Sequence, residues 1–210
     1  MNYVSILLIV LISYLLGSFP TAYLIAKYKR VDIFDVGSGN MGATNVSRAI
    51  GLKWGLLVWF LDSAKGIIAI AIAWRILPDN HPAATTIAGL VAIIGHNWSV
   101  FASMITGKLR GGKGAATAFG TLLMVAPVQT LVIGFAISTV IVFFTRYMSL
   151  GVLVMFTMSM VWIAILTFQR QLPMEFVYYA SIMWGMLMMR FRENIQRLLS
   201  GTERRLGERA

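Results

Sequence analysis

Apolar residues run along this chain in long unbroken blocks, at residues 3–26, 54–77, 83–104, 115–144, 148–168 and 174–189. Crossing a bilayer as a helix takes about 20 consecutive apolar residues, and most of the blocks approach that length. They do not alternate in hydropathy, which excludes a transmembrane β-barrel. The block at 115–144 is too long for one crossing, and Pro127 near its middle predicts a division into two short helices. Gly17 and Pro20 interrupt the first block and predict a kink there. The pattern predicts an all-α integral membrane protein, a bundle of seven transmembrane helices.

Charge sets the orientation. No basic residue precedes the first block, which closes on Lys27, Lys29 and Arg30. That order is the reverse of a secretory signal, so an uncleaved span is expected. Basic residues gather again at Lys108, Arg110 and Lys113, and in a tail carrying Arg190, Arg192, Arg197, Arg204, Arg205 and Arg209. Basic loops stay in the cytoplasm, which places the N-terminus outside and the C-terminus inside. The Pro127 division is what makes the helix count agree with that placement.

Composition narrows the class further. Hydrophobic residues make up 58% and charged residues 12%, with a net charge of +10. A soluble domain carries about 25% charged residues, so soluble enzymes, coiled coils and disordered binders are excluded. The spans leave no room for a second folded unit, and residues 1–210 are expected to form a single membrane-embedded domain. In this setting the positive balance reads as topology rather than nucleic-acid binding. Cysteine is absent, which excludes disulfides and thiolate chemistry.

Three polar clusters then fall on the cytoplasmic face. The first contains Gly37, Ser38, Gly39, Asn40, Gly42, Thr44, Asn45 and Arg48. Its glycines allow backbone N–H groups to approach an anion, its small polar side chains add hydrogen bonds, and Arg48 suits a phosphate. A plain inter-helix loop explains the glycines equally well. The second holds Gly107, Lys108, Arg110, Gly111, Gly112, Lys113 and Gly114. It begins like a Walker A motif, but Gly114 stands where Ser or Thr would hold magnesium and no strand precedes it. That leaves a phosphate cradle or a topological anchor. The third, residues 190–197, reads as a juxtamembrane helix with Glu193 and Arg197 at pairing distance along it.

Asp62 and Lys65 lie within a span and on one helix face, the spacing of a structural ion pair. His96 reads as a hydrogen-bonded structural histidine. Five residues after His81 and His96 stand Thr86 and Phe101, so a His–Asp acyltransferase pair is missing. Residue chemistry alone supports a membrane site for phosphorylated substrates and names no reaction.

The runs at 37–45 with Arg48, at 111–114 followed by Ala-Thr-Ala, and at 192–195 resemble the bacterial acyl-phosphate:glycerol-3-phosphate acyltransferases, the PlsY family. Residues 14–18, Asp62 with Lys65 and Gly66, and Gly95 with His96 also match, in order, along nearly the whole chain. The resemblance implies acyl transfer from acyl phosphate to the sn-1 hydroxyl of glycerol-3-phosphate, in phospholipid synthesis at the bacterial inner membrane. It implies that Ser38, Arg48, Lys113 and Asn194 act at the phosphates. Gly37, Gly39, Asn40, Gly42, Thr44, Asn45, Gly111, Gly112 and Gly114 would line the substrate phosphates, with His96, Lys108 and Arg110 as further candidates. Membrane lipid is the other expected partner; no metal, cofactor, nucleic acid or particular protein partner is implied. The chain departs from the family at Phe191, where a histidine is usual, and in a longer connection at 103–109. Two rival expectations are an anion transporter, which requires polar groups continuing through the bilayer, and a diverged homologue that binds lipid phosphate without turnover.

Overall fold

The computed structural model describes residues 2–207 and builds them from helices alone. In chain order these are α1 (Tyr3–Ser18), α2 (Thr21–Tyr28), α3 (Ala43–Ile50), α4 (Leu52–Ile76), α5 (His81–Asn97) and α6 (Val100–Thr106). They continue as α7 (Ala115–Leu122), α8 (Val128–Thr145), α9 (Met148–Phe168), α10 (Glu175–Arg190) and α11 (Arg192–Leu199). Arg209, counted above in the basic tail, lies outside the described residues.

Among the described residues, five segments are long and apolar enough to cross a bilayer: Tyr3–Tyr28, Leu52–Ile76, His81–Thr106, Val128–Thr145 and Met148–Phe168. The other two expected crossings are shorter. At a rise of 1.5 Å per residue, α7 is roughly 12 Å long and α10 roughly 24 Å. The chain does divide at Pro127, which caps the start of α8. The expected kink is a break between α1 and α2, because Pro20 has no N–H with which to continue α1. The polar interval between the first two apolar blocks contains a helix, α3.

Residues 2–124 and 125–207 fall into two compact units. In the first, glycines let helices meet backbone to backbone. A Cβ at Gly17 would overlap the Ala92 carbonyl, and one at Gly95 would overlap that of Tyr14, so α1 and α5 are in intimate contact. Gly66 and Gly120 do the same between α4 and α7. Lipid offers helices no hydrophobic reason to associate, and close approach through small residues supplies the packing instead. The glycine loop at 37–42 sits on a small core of Ala22, Ile33, Met41, Val46, Val58 and Ala102. The second unit holds α8–α11 and the described tail. Arg146 binds the Leu206 carbonyl through Nε (3.2 Å) and Nη2 (2.7 Å), while the Leu206 N–H donates to the Arg146 carbonyl.

Candidate active site

Two helix breaks in the first unit face each other. Pro20 ends α1 and leaves carbonyls without helical partners, and side chains of other helices take them. Ser99 Oγ donates to the Ser18 carbonyl at 2.5 Å, and Lys65 Nζ to the Phe19 carbonyl at 3.3 Å. The break between α5 and α6 is answered from α1, by Ser18 Oγ on the Gly95 carbonyl (3.2 Å) and Tyr14 Oη on the Trp98 carbonyl (2.9 Å). Buried backbone groups are costly when unpaired, so each of these bonds fixes the breaks relative to one another.

Beneath the breaks lies an ionic cluster. Lys65 Nζ is 3.0 Å from Asp62 Oδ1 and 2.8 Å from His96 Nδ1. The Phe19 carbonyl, at 3.3 Å, is a third polar neighbour of the Lys65 nitrogen. With Lys65 as an ammonium, which can only donate, Nδ1 is the acceptor and the imidazole proton is assigned to Nε2. That edge of the ring lies against Gly112, where a Cβ would overlap it. Asp62 and Lys65 thus form the expected pair, and His96 joins it.

The second glycine loop is built on this base. The Gly112 N–H donates to the His96 carbonyl (2.9 Å), the Ser99 N–H to the Arg110 carbonyl (3.0 Å), and the Arg110 N–H to Ser103 Oγ (3.1 Å). Gly111 lies where a Cβ would overlap the Asn97 carbonyl. Gly114 has φ +79° and turns the chain into α7, leaving Lys113 half-buried at that helix start. In the segment 103–109, α6 runs to Thr106 and stops at Gly107 in a left-handed turn. Lys108 is exposed beyond it.

The first loop is organised by Asn45, which is buried in α3. Its amide nitrogen lies within reach of the Ile33, Val36 and Asn40 carbonyls (3.2, 3.1 and 3.1 Å), and its Oδ1 accepts from the Ser38 N–H at 2.9 Å. Asn40 donates to the Ser38 carbonyl at 3.1 Å. Gly37 and Gly39 have φ of 59° and 63°, values a side chain resists. Asn45 and Asn40 therefore shape the loop, whose remaining groups include half-buried Ser38, Thr44 in the first turn of α3 and Arg48 in its last. The loops are joined by Arg110, whose guanidinium is 3.5 Å from the Gly39 carbonyl and 5.3 Å from the Phe34 ring.

Both α3 and α7 begin at a glycine that supplies no side-chain cap. Helix N-termini carry partial positive charge and unsatisfied N–H groups, which suits phosphate oxygens. Arg48 and Lys113 lie close by in the chain, and Arg110 joins the two loops that lead into these helix starts.

Asn194 belongs to the second unit, in the first turn of α11. Its Nδ2 donates to Glu203 Oε1 at 2.6 Å, and Ser149 Oγ donates to the same oxygen at 2.8 Å. Arg197 Nε donates to Glu203 Oε2 at 2.9 Å, whereas the expected partner Glu193 is 4.0 Å from Arg197. Burial pushes the Glu203 carboxyl up, but bonds from Asn194, Ser149 and Arg197, with the Arg197 charge, hold it below the usual carboxylate range. Phe191 is buried where α10 passes into α11. Sequence reasoning missed Glu203 and Ser99. For Ser99 a signal existed, a serine before an apolar run, and it does cap α6 through the Ala102 N–H.

The glycerol-3-phosphate acyltransferase family profile matches residues 7–201. A glycerol-3-phosphate acyltransferase of Halalkalibacterium halodurans is 42% identical over 204 residues, covering 96% of both chains. One from Aquifex aeolicus is 38% identical and covers 95% of this chain and 98% of its own. The crystal structure of PlsY, an integral membrane glycerol 3-phosphate acyltransferase, in its glycerol 3-phosphate form superposes with a TM-score of 0.84 at 38% identity, covering 97% of this chain and 96% of that one. Its lysophosphatidic acid form gives 0.82. With the profile spanning nearly the whole length and the helical architecture shared, this chain belongs to the glycerol-3-phosphate acyltransferase family that includes PlsY.

Proposed function

We propose that the protein transfers a fatty acyl group from acyl phosphate to the sn-1 hydroxyl of glycerol-3-phosphate, releasing 1-acylglycerol-3-phosphate and inorganic phosphate. The observation that carries this is the Arg110 bridge, which joins the first glycine loop to the loop of Lys113. Two phosphate-bearing substrates require two anion sites close enough for reaction. Family membership supplies the acceptor, and the mixed anhydride supplies a leaving group good enough to need no protein nucleophile.

In this reading Ser38, Arg48 and the α3 N-terminus hold one phosphate, and Lys113 with the α7 N-terminus holds the other. Gly37, Gly39, Gly42, Gly111, Gly112 and Gly114 admit the phosphate oxygens to backbone N–H groups, and Thr44 adds a hydroxyl. Asn40 and Asn45 act by holding the first loop in shape, and His96 by supporting the second. The third motif assigns Asn194 a substrate contact, and that assignment is part of the proposal. The hydroxyl oxygen attacks the acyl carbon, the bond from that carbon to the phosphate oxygen breaks, and the departing phosphate takes the hydroxyl proton. The protein's contribution is positioning and charge stabilisation.

Purified protein given palmitoyl phosphate and glycerol-3-phosphate should release phosphate and form 1-acylglycerol-3-phosphate; acyl phosphate left intact would overturn the reading. Arg48→Ala and Lys113→Ala should each lower kcat/KM by about ten- to a hundredfold, the worth of a charge-assisted hydrogen bond. Near-parental rates in both would separate the loops from the reaction.

The same reading takes residues 1–210 as one acyltransferase domain in the bacterial inner membrane, with α7 and α10 completing seven crossings. The N-terminus then lies outside and the C-terminus inside. Single cysteines at Lys29, Lys108 and Arg204 should be labelled from the cytoplasmic side, and those at Asp79 and Arg170 from outside. Labelling of position 204 from outside would overturn the count of seven.

A further inference from the structure

The tail after α11 carries a group that the proposed reaction has not used. Gly201, at φ +71°, reverses the chain, and the Thr202 N–H returns to the Arg197 carbonyl at 2.8 Å. This turn brings Glu203 back onto α11 and the first turn of α9, with 8% of its surface exposed. One carboxylate oxygen accepts from Asn194 and Ser149, the other from Arg197. A surface glutamate would be hydrated; this one is enclosed by donors and held ionised.

We propose that Glu203 is a positioning residue for acyl transfer, fixing the amide of Asn194 with Nδ2 toward the tail and Oδ1 as the atom that meets substrate. The proposal rests on the assignment of Asn194 as a substrate contact. A side-chain amide can be turned over with little change of shape, and nothing intrinsic decides which end faces outward. A carboxylate decides it, because an amide oxygen against Glu203 Oε1 would be repelled. The acceptor end is thereby aimed away from Glu203, the orientation that suits a donating hydroxyl of a phosphorylated polyol rather than a phosphate oxygen. Ser149 and Arg197 keep the carboxylate itself from rotating.

Glu203→Gln removes the charge and replaces one acceptor oxygen with a donor that must face either Arg197 or the Asn194–Ser149 side. The full-length purified variant is expected to lose about tenfold in kcat/KM for glycerol-3-phosphate, with the KM for palmitoyl phosphate nearly unchanged. In an Asn194→Ala background the same change should add no further loss, because the residue it orients is gone. Multiplying losses in the double variant would make Glu203 an independent structural prop and overturn the proposal, as would parental kcat/KM in Glu203→Gln. Parental activity in Asn194→Ala would instead overturn the assignment on which the proposal rests. If Glu203→Gln does not fold, Glu203→Asp, which keeps the charge and withdraws the oxygens, is read in the same cycle. Loss in the single variant without further loss in the Asn194→Ala background sustains the proposal, and losses that multiply reject it.

Discussion

Asp62 and Glu203 are two buried carboxylates held in different ways. Asp62, 2% exposed in the middle of a membrane-spanning helix, is answered by a full positive charge from Lys65 on the next turn. Glu203, 8% exposed and outside the spans, is answered by three donors from two helices, of which Arg197 alone is charged. Depth sets the requirement. An ion in the apolar interior needs an opposite charge at contact, whereas one at the end of a bundle can be held by hydrogen bonds supplemented by charge.

The largest effect is expected where that requirement is strictest. Lys65→Met leaves Asp62 without its counter-charge and should destabilise the protein by about 3–5 kcal/mol. Asp62→Leu combined with Lys65→Met removes both charges and should recover most of that loss in thermal unfolding, although His96 then loses the donor at Nδ1. If the single and double variants unfold alike, the pair is not what holds Asp62, and the contrast with Glu203 disappears.

This contrast also explains what the sequence made legible. Asp62 and Lys65 sit three apart on a helix, so their meeting is a property of helical geometry. The break at Pro20 and the division at Pro127 were equally local, since a missing N–H acts where it stands. The grip of the Phe19 carbonyl by Lys65 spans 46 residues and was invisible, as was the meeting of Glu203 with Ser149 across 54. The glycine loops announced themselves by composition. Their joining through Arg110 did not, because no spacing relates Gly39 to a residue 71 positions away. At α7 and α10 the helices are shorter than the apolar blocks for a related reason: hydropathy marks where chain is apolar, but packing decides how many residues are helical.

Acidity should probe the Glu203 site next. The Glu203 pKa lies below its usual 4.5 in the folded protein, so its stabilisation is complete above that value. As pH falls through the depressed folded value the group protonates, its bonds from Asn194, Ser149 and Arg197 weaken, and the contribution is lost. The thermal midpoint of the parent should therefore fall more steeply than that of Glu203→Gln between about pH 6 and about pH 3. Taking the difference between the two proteins cancels the other carboxylates. Parallel curves would show that the Glu203 site does not favour the ionised form.

The smallest expected effect concerns Arg197, which has two acidic neighbours of unequal worth. Glu193 follows the helical spacing but lies 4.0 Å away with its side chain 64% exposed, whereas the Glu203 side chain is 5% exposed and bonded at 2.9 Å. Water screens the first contact and solvates both partners when it opens, so Glu193→Ala should change stability by only about 0.2–0.5 kcal/mol. That change should shrink further at high salt, because exposed pairs are screened within about a Debye length. Acyl transfer should be unaffected, since Glu193 holds neither Asn194 nor the tail. A loss in Glu193→Ala comparable to that in Glu203→Gln would mean that α11 is fixed by charge along its own surface. The tail would then have no special claim on Asn194, and the difference between the two buried carboxylates would reduce to depth alone.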